Sequence, residues 1–71
     1  PYREALRQLN LHPEEAVVFE DSTSGICSAV GAGITTIGIA TTHAPDKLYA
    51  VGATLVVPDF TDERLRQFGL L

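Results

Sequence analysis

Two adjacent carboxylates, Glu20 and Asp21, directly follow the apolar run Ala16–Phe19 and precede three hydroxyl residues, Ser22, Thr23 and Ser24. Neighbouring side chains of an extended strand point to opposite faces, but that alternation breaks where a strand gives way to a helix. Two carboxylates can then converge on one point. Like charges at close range repel, and one of them takes up a proton unless a cation intervenes. A hard divalent cation with oxygen ligands relieves that repulsion. Magnesium suits the pair, because it binds through one or two carboxylates, keeps several waters and bridges to phosphate oxygens. The plainer alternative is that Asp21 caps the following helix while Glu20 is solvated. The spacing leaves both open. Ser22, Thr23 and Ser24 would orient a carboxylate, meet a phosphate at a helix N-terminus or simply cap the helix. Gly25 permits close approach of the backbone.

Other polar residues carry less. His43 falls in a strand-to-helix loop with no Ser or Cys nucleophile signature nearby, and reads as solvated. Cys27 lies inside a helical pattern without a flanking basic cluster, which predicts a packed thiol rather than a nucleophile. Asp59, between Pro58 and Thr61, reads as a turn residue, and Arg64 and Arg66 as a solvated helix face. Gly31-x-Gly33 ends a helix, whereas a dinucleotide fingerprint must open one.

The elements that must position these residues follow from periodicity. Tyr2, Ala5, Leu6 and Leu9 recur at helical spacing, and Asn10 and Pro13 bracket the end of that helix. Residues 16–19 form a short apolar strand, and Ile26, Ala29, Val30 and Gly33 mark a second helix stopped by Gly31 and Gly33. The β-branched run 34–39 is a second strand. Pro45 opens a third helix with Leu48 and Val51 on its apolar side, and Gly52 ends it. Residues 54–57 are a third strand closed by Pro58, and Thr61 caps a last helix carrying Leu65 and Phe68. The expected fold is α/β, with three parallel strands alternating with four helices and joined by right-handed crossovers. In such sheets chemistry sits beyond the carboxyl ends of the strands. That edge carries Glu20-Asp21-Ser22, then residues 40–43, then Pro58-Asp59.

Composition bounds the function. At 71 residues the chain is one domain or part of one, and its single cysteine excludes an internal disulfide. An unpaired Cys suits a reducing, cytoplasmic setting. Five basic against nine acidic residues, a net charge of −4, argue against a nucleic-acid surface. No apolar run reaches the ~18 residues of a membrane span. The chain opens on Pro1 and contains no Met, so we expect it to be part of something longer.

The run from Pro13 to Ser22, followed by Ser24-Gly25-Ile26 and Ala32-Gly33-Ile34, resembles the haloacid dehalogenase-like hydrolases. Its nearest likeness is to the subfamily of β-phosphoglucomutase and phosphoglycolate-phosphatase-like enzymes. The segment from Gly52 to Phe60 matches how such chains usually finish, so the resemblance covers residues 1–71. It implies a partial Rossmann-like core, with Glu20 and Asp21 as the acidic motif that helps hold catalytic Mg2+ and Ser22 in support. It also implies phosphate transfer from a small phosphorylated metabolite through an aspartyl-phosphate. The family's nucleophile motif is absent, since no Asp-x-Asp occurs anywhere in the chain. Its lysine would fall just before Pro1, Lys47 lies too far downstream to replace it, and the substrate-selecting cap domain is missing. The resemblance therefore implies a C-terminal fragment of a phosphatase, inactive alone. The alternatives are a fragment of a phosphomutase or a non-catalytic flavodoxin- or receiver-like module. A strand built to pair with an absent neighbour would leave an open edge and favour self-association.

Overall fold

The computed structural model describes residues 2–70. The first helix, α1 (Tyr2–Leu9), ends at Asn10, whose φ of 57° is left-handed. Asn tolerates that conformation better than most residues. The reversal lets the Leu11 N–H donate to the Leu6 carbonyl at 2.9 Å. The expected apolar stripe is only partly buried: Leu6 is in the core, whereas Leu9 is 67% exposed and Ala5 is exposed too.

A 3-10 turn (Pro13–Glu15) leads into β1 (Val17–Glu20), followed by α2 (Thr23–Gly31), β2 (Thr35–Ile39), α3 (Pro45–Ala50) and β3 (Leu55–Val57). The fourth helix, Glu63–Phe68, is 3-10 rather than α. Its cap is Asp62, not the expected Thr61. The Asp62 carboxylate accepts from the Arg64 N–H, while Thr61 is drawn back by donating its own N–H to Asp59 at 2.8 Å. An aspartate that bonds the backbone two residues on makes such a turn locally.

The three strands are parallel in the order β1-β2-β3, with Glu20 opposite Gly38 and Gly38 opposite Val56. Alternation and register place Val18, Thr36, Gly38 and Val56 on one face, and Phe19, Ile37, Ile39 and Val57 on the other. Ile26 of α2 and Leu48 of α3 pack with Ala53 and Val56 on the first face. Leu65 and Phe68 cover Ile37, Ile39 and Val57 on the second. Leu6 meets Ala32 and Ile34, with Tyr2 and Val18 beside them. Gly38 is needed for the close approach of Leu48, because a Cβ there would lie 3.1 Å from its Cδ1.

β2 is buried through Ile39, whereas β1 lies at the sheet edge with Val17 exposed and Phe19 half-buried. At the other edge the Val56 N–H donates to the Tyr49 hydroxyl at 3.0 Å. No helix among the described residues is long and apolar enough to cross a membrane.

Leu48 and Leu9 give opposite tests of this packing. Leu48→Ala should cost about 2–5 kcal/mol through the cavity it leaves, and Leu9→Ala no more than about 0.5 kcal/mol. Urea denaturation followed by circular dichroism measures both. Equal costs would overturn the assignment of the core.

Candidate functional site

The end of β1 delivers Glu20 to the helix-covered face of the sheet, where α2 begins. Ser22 caps α2: its φ and ψ of −112° and 150° are extended, and its hydroxyl accepts the Gly25 N–H at 3.0 Å. The same hydroxyl donates to Glu20 Oε1 at 3.3 Å. The other oxygen, Oε2, accepts from the Tyr2 hydroxyl at 2.8 Å. The carboxylate lies directly over Gly25, where a Cβ would come within 2.2 Å of Glu20 Cδ. Only glycine leaves room for this arrangement.

Three things act on the charge of Glu20. The Tyr2 hydrogen bond holds its carboxyl below the ordinary carboxylate range, burial opposes this, and the Asp21 and Ser22 N–H groups and the Ser22 hydroxyl add to the lowering. Reciprocally, donation to Glu20 raises the Tyr2 phenol above its ordinary value, with burial adding to the effect. Asp21 is exposed, and among the described residues no side-chain hydrogen bond engages its carboxylate.

Glu20 and Asp21 both line one cavity of about 240 Å³, together with Phe19, Ile39, Thr41 and Phe60. Phe60 rests on Phe19 with ring centroids 5.2 Å apart. The fold thus brings together Glu20, Asp21 and Thr41, the second residue after β2. Ser22, not Asp21, caps α2, and Glu20 is hydrogen-bonded by Ser22 and Tyr2 rather than left to solvent, so the plainer alternative of Asp21 as cap and Glu20 in solvent does not hold. Asp59 is spent on its turn with Thr61, and neither it nor His43 lines this cavity. Cys27 is exposed rather than packed, because α2 turns it outward toward a second cavity of about 490 Å³ lined also by Tyr2, Arg3, Glu4, Ser28 and Gly31.

Among the described residues no group of three or more His, Cys, Asp or Glu gathers to hold a metal. A donor set of two carboxylates still fits magnesium, which needs few protein ligands and fills its shell with water and phosphate oxygens. Glu20 and Asp21 are the residues that would serve. Two contributors are not marked by the sequence. Tyr2 reads there as an apolar helix position, and Phe60 only as the end of the segment that resembles the family's closing run. Gly25 was legible as a close approach, though what approaches is a side chain.

The Tyr2–Glu20 contact has a two-sided pH signature. Glu20 is depressed, so its contribution to stability is present above its ordinary value of 4.5 and is lost as pH falls through the folded value. Tyr2 is raised, so its contribution is present below 10.0 and is lost as pH rises through the folded value. Melting temperatures measured across this range should show Tyr2→Phe shallower than the parent on both limbs. Parallel curves would refute the contact.

Residues 1–39 match the family model of the haloacid dehalogenase-like hydrolases. Over 68 residues the chain is 38% identical to validoxylamine A 7'-phosphate phosphatase of Streptomyces hygroscopicus subsp. limoneus, covering 96% of this chain and 31% of that protein. Among solved structures, a HAD family hydrolase from Deinococcus radiodurans with bound phosphate and sodium superposes with a TM-score of 0.81 at 31% identity, over 99% of this chain and 34% of that one. A conserved haloacid dehalogenase-like protein of unknown function from Agrobacterium tumefaciens gives a TM-score of 0.80 at 30% identity, over 97% and 33%. The chain spans about a third of the length of these relatives. With the acidic pair at the carboxyl edge of a three-stranded parallel sheet and relatives matched along nearly its whole length, the chain belongs to the haloacid dehalogenase-like hydrolase family.

Proposed function

We propose that this chain is the acidic, metal-binding portion of the core of a magnesium-dependent phosphatase. The observation that carries the reading is the convergence of Glu20 and Asp21 on one cavity at the carboxyl end of β1. Glu20 is kept ionised by Tyr2 and Ser22, and Asp21 is left open to a ligand. When bound, magnesium supplies positive charge that offsets the charge of a phosphate group. The chain's own residues hold Glu20 fixed, present Asp21 beside it and shield one side of the cavity with Phe19 and Phe60.

The covalent chemistry belongs to groups outside these residues. A carboxylate nucleophile would attack phosphorus and expel the ester oxygen, and water would then release phosphate from the aspartyl-phosphate. No Asp-x-Asp is present to do this. The edge position and half-exposed apolar residues of β1 fit a strand that pairs with a further one, which supports reading the chain as part of a larger core. A relative whose name is that of a phosphatase favours hydrolysis over phosphomutase chemistry, and a small phosphorylated metabolite as the substrate class. Family membership sets aside the flavodoxin- or receiver-like alternative.

Phosphate release from a panel of phosphate monoesters tests the proposal. The 71-residue chain should release none above buffer. The native protein, captured from its source cells through this segment, should release phosphate, lose activity to a chelator and regain it with Mg2+. Turnover by the 71-residue chain alone, or a native protein indifferent to chelation, would count against it.

A further inference from the structure

Tyr2 is built as two separable parts. Its ring packs beside Leu6, Ala32 and Ile34, which any aromatic residue could do. Its hydroxyl reaches past that cluster to Glu20 Oε2 at 2.8 Å, its hydrogen-bond partner among the described residues. The Glu20 side chain has three rotatable bonds and so needs fixing if its carboxylate is to hold one orientation. Ser22 restrains Oε1 only loosely, at 3.3 Å, and its hydroxyl is shared with the helix cap. Gly25 opens the space beneath the carboxylate but donates nothing to it. The shorter bond, and the one that joins Glu20 to another helix, is that of Tyr2.

We propose that Tyr2 is a positioning residue for the acidic pair: its hydroxyl fixes the Glu20 carboxylate over Gly25 in the orientation from which the pair receives a divalent cation. This rests on the reading of Glu20 and Asp21 as a cation site. Hydrogen-bonding partners of this kind govern affinity although they touch no metal, and their removal typically weakens binding about 10–100-fold. Gly25 has a matching role. Alanine is the better helix former, yet its methyl would displace the carboxylate from its seat.

The experiment is Mn2+ binding to the full chain, read by electron paramagnetic resonance, with Mg2+ titrations read by the 13Cζ resonances of the tyrosines. The chain has two tyrosines and no tryptophan, so the signals of Tyr2 and Tyr49 can be assigned by substitution. The parent should bind Mn2+ and lose binding with Asp21→Asn. Tyr2→Phe should bind about tenfold more weakly with an unchanged circular dichroism spectrum. Gly25→Ala should fold and bind more weakly as well. Mg2+ should shift the Tyr2 resonance and leave that of Tyr49 in place, a readout that needs no folded variant.

Parent-like affinity in Tyr2→Phe, or a Tyr2 resonance indifferent to Mg2+ while the parent binds, would overturn the positioning role and leave the cation site standing. A parent that binds no Mn2+ would overturn the cation site, and the positioning role with it.

Discussion

An ionised carboxylate at the exit of an apolar strand is the constraint around which this structure is arranged. Glu20 leaves β1 on the face that the helices cover, where charge is costly unless hydrogen bonds compensate it. Three elements meet that requirement together. α1 contributes a phenol, the β1–α2 turn contributes a hydroxyl, and α2 gives up a side chain at Gly25. Ser22 follows the ordinary N-cap preference, but the other two run against local preference. Gly25 weakens the helix it occupies, and Tyr2 places a hydroxyl where an apolar ring would satisfy the packing. Among the described residues, no buried side-chain polar atom is left without a partner. The local concessions thus serve a Glu20 carboxylate with both oxygens hydrogen-bonded.

Most of the architecture was legible because its signals are local. Short apolar runs separated by glycines and N-cap hydroxyls specify the alternation of strand and helix, and alternation implies parallel pairing. The acidic pair was legible for a similar reason, since two charges after an apolar run stand out whatever surrounds them. Partnership across the chain was not legible. Tyr2 and Glu20 are 18 residues apart, and nothing in their spacing announces that they meet. The same limit explains Leu9 and Cys27. Helical periodicity says which residues share a face, but which face meets the sheet depends on docking. The sheet side of α1 buries Leu6, and Leu9 lies over solvent. Thr61 failed as a cap because Asp59 claimed it first, a competition between two local motifs that composition cannot rank.

The division of labour between the carboxylates follows from the backbone. Glu20 is the last paired residue of β1, opposite Gly38, so its side chain direction is set by the sheet. Asp21 lies beyond the last register pair and before the Ser22 cap, where the chain is changing direction. One acid is therefore fixed by secondary structure and the other is freed by its ending. Adjacent positions acquire different environments without any difference in residue chemistry beyond one methylene.

The Tyr49 hydroxyl has a consequence for how copies of this sheet could grow. A parallel sheet has two edges, each a row of backbone groups that can recruit another strand. At β3 the Val56 N–H is already taken by Tyr49, so that edge offers one donor fewer over its three residues. At β1 no such side chain intervenes among the described residues, and the strand is longer. Fibre growth needs both edges of every copy, whereas recruitment at β1 alone stops once that edge is paired. A single tyrosine thereby makes the two edges unequal, and leaves β1 the one with more backbone groups free among the described residues.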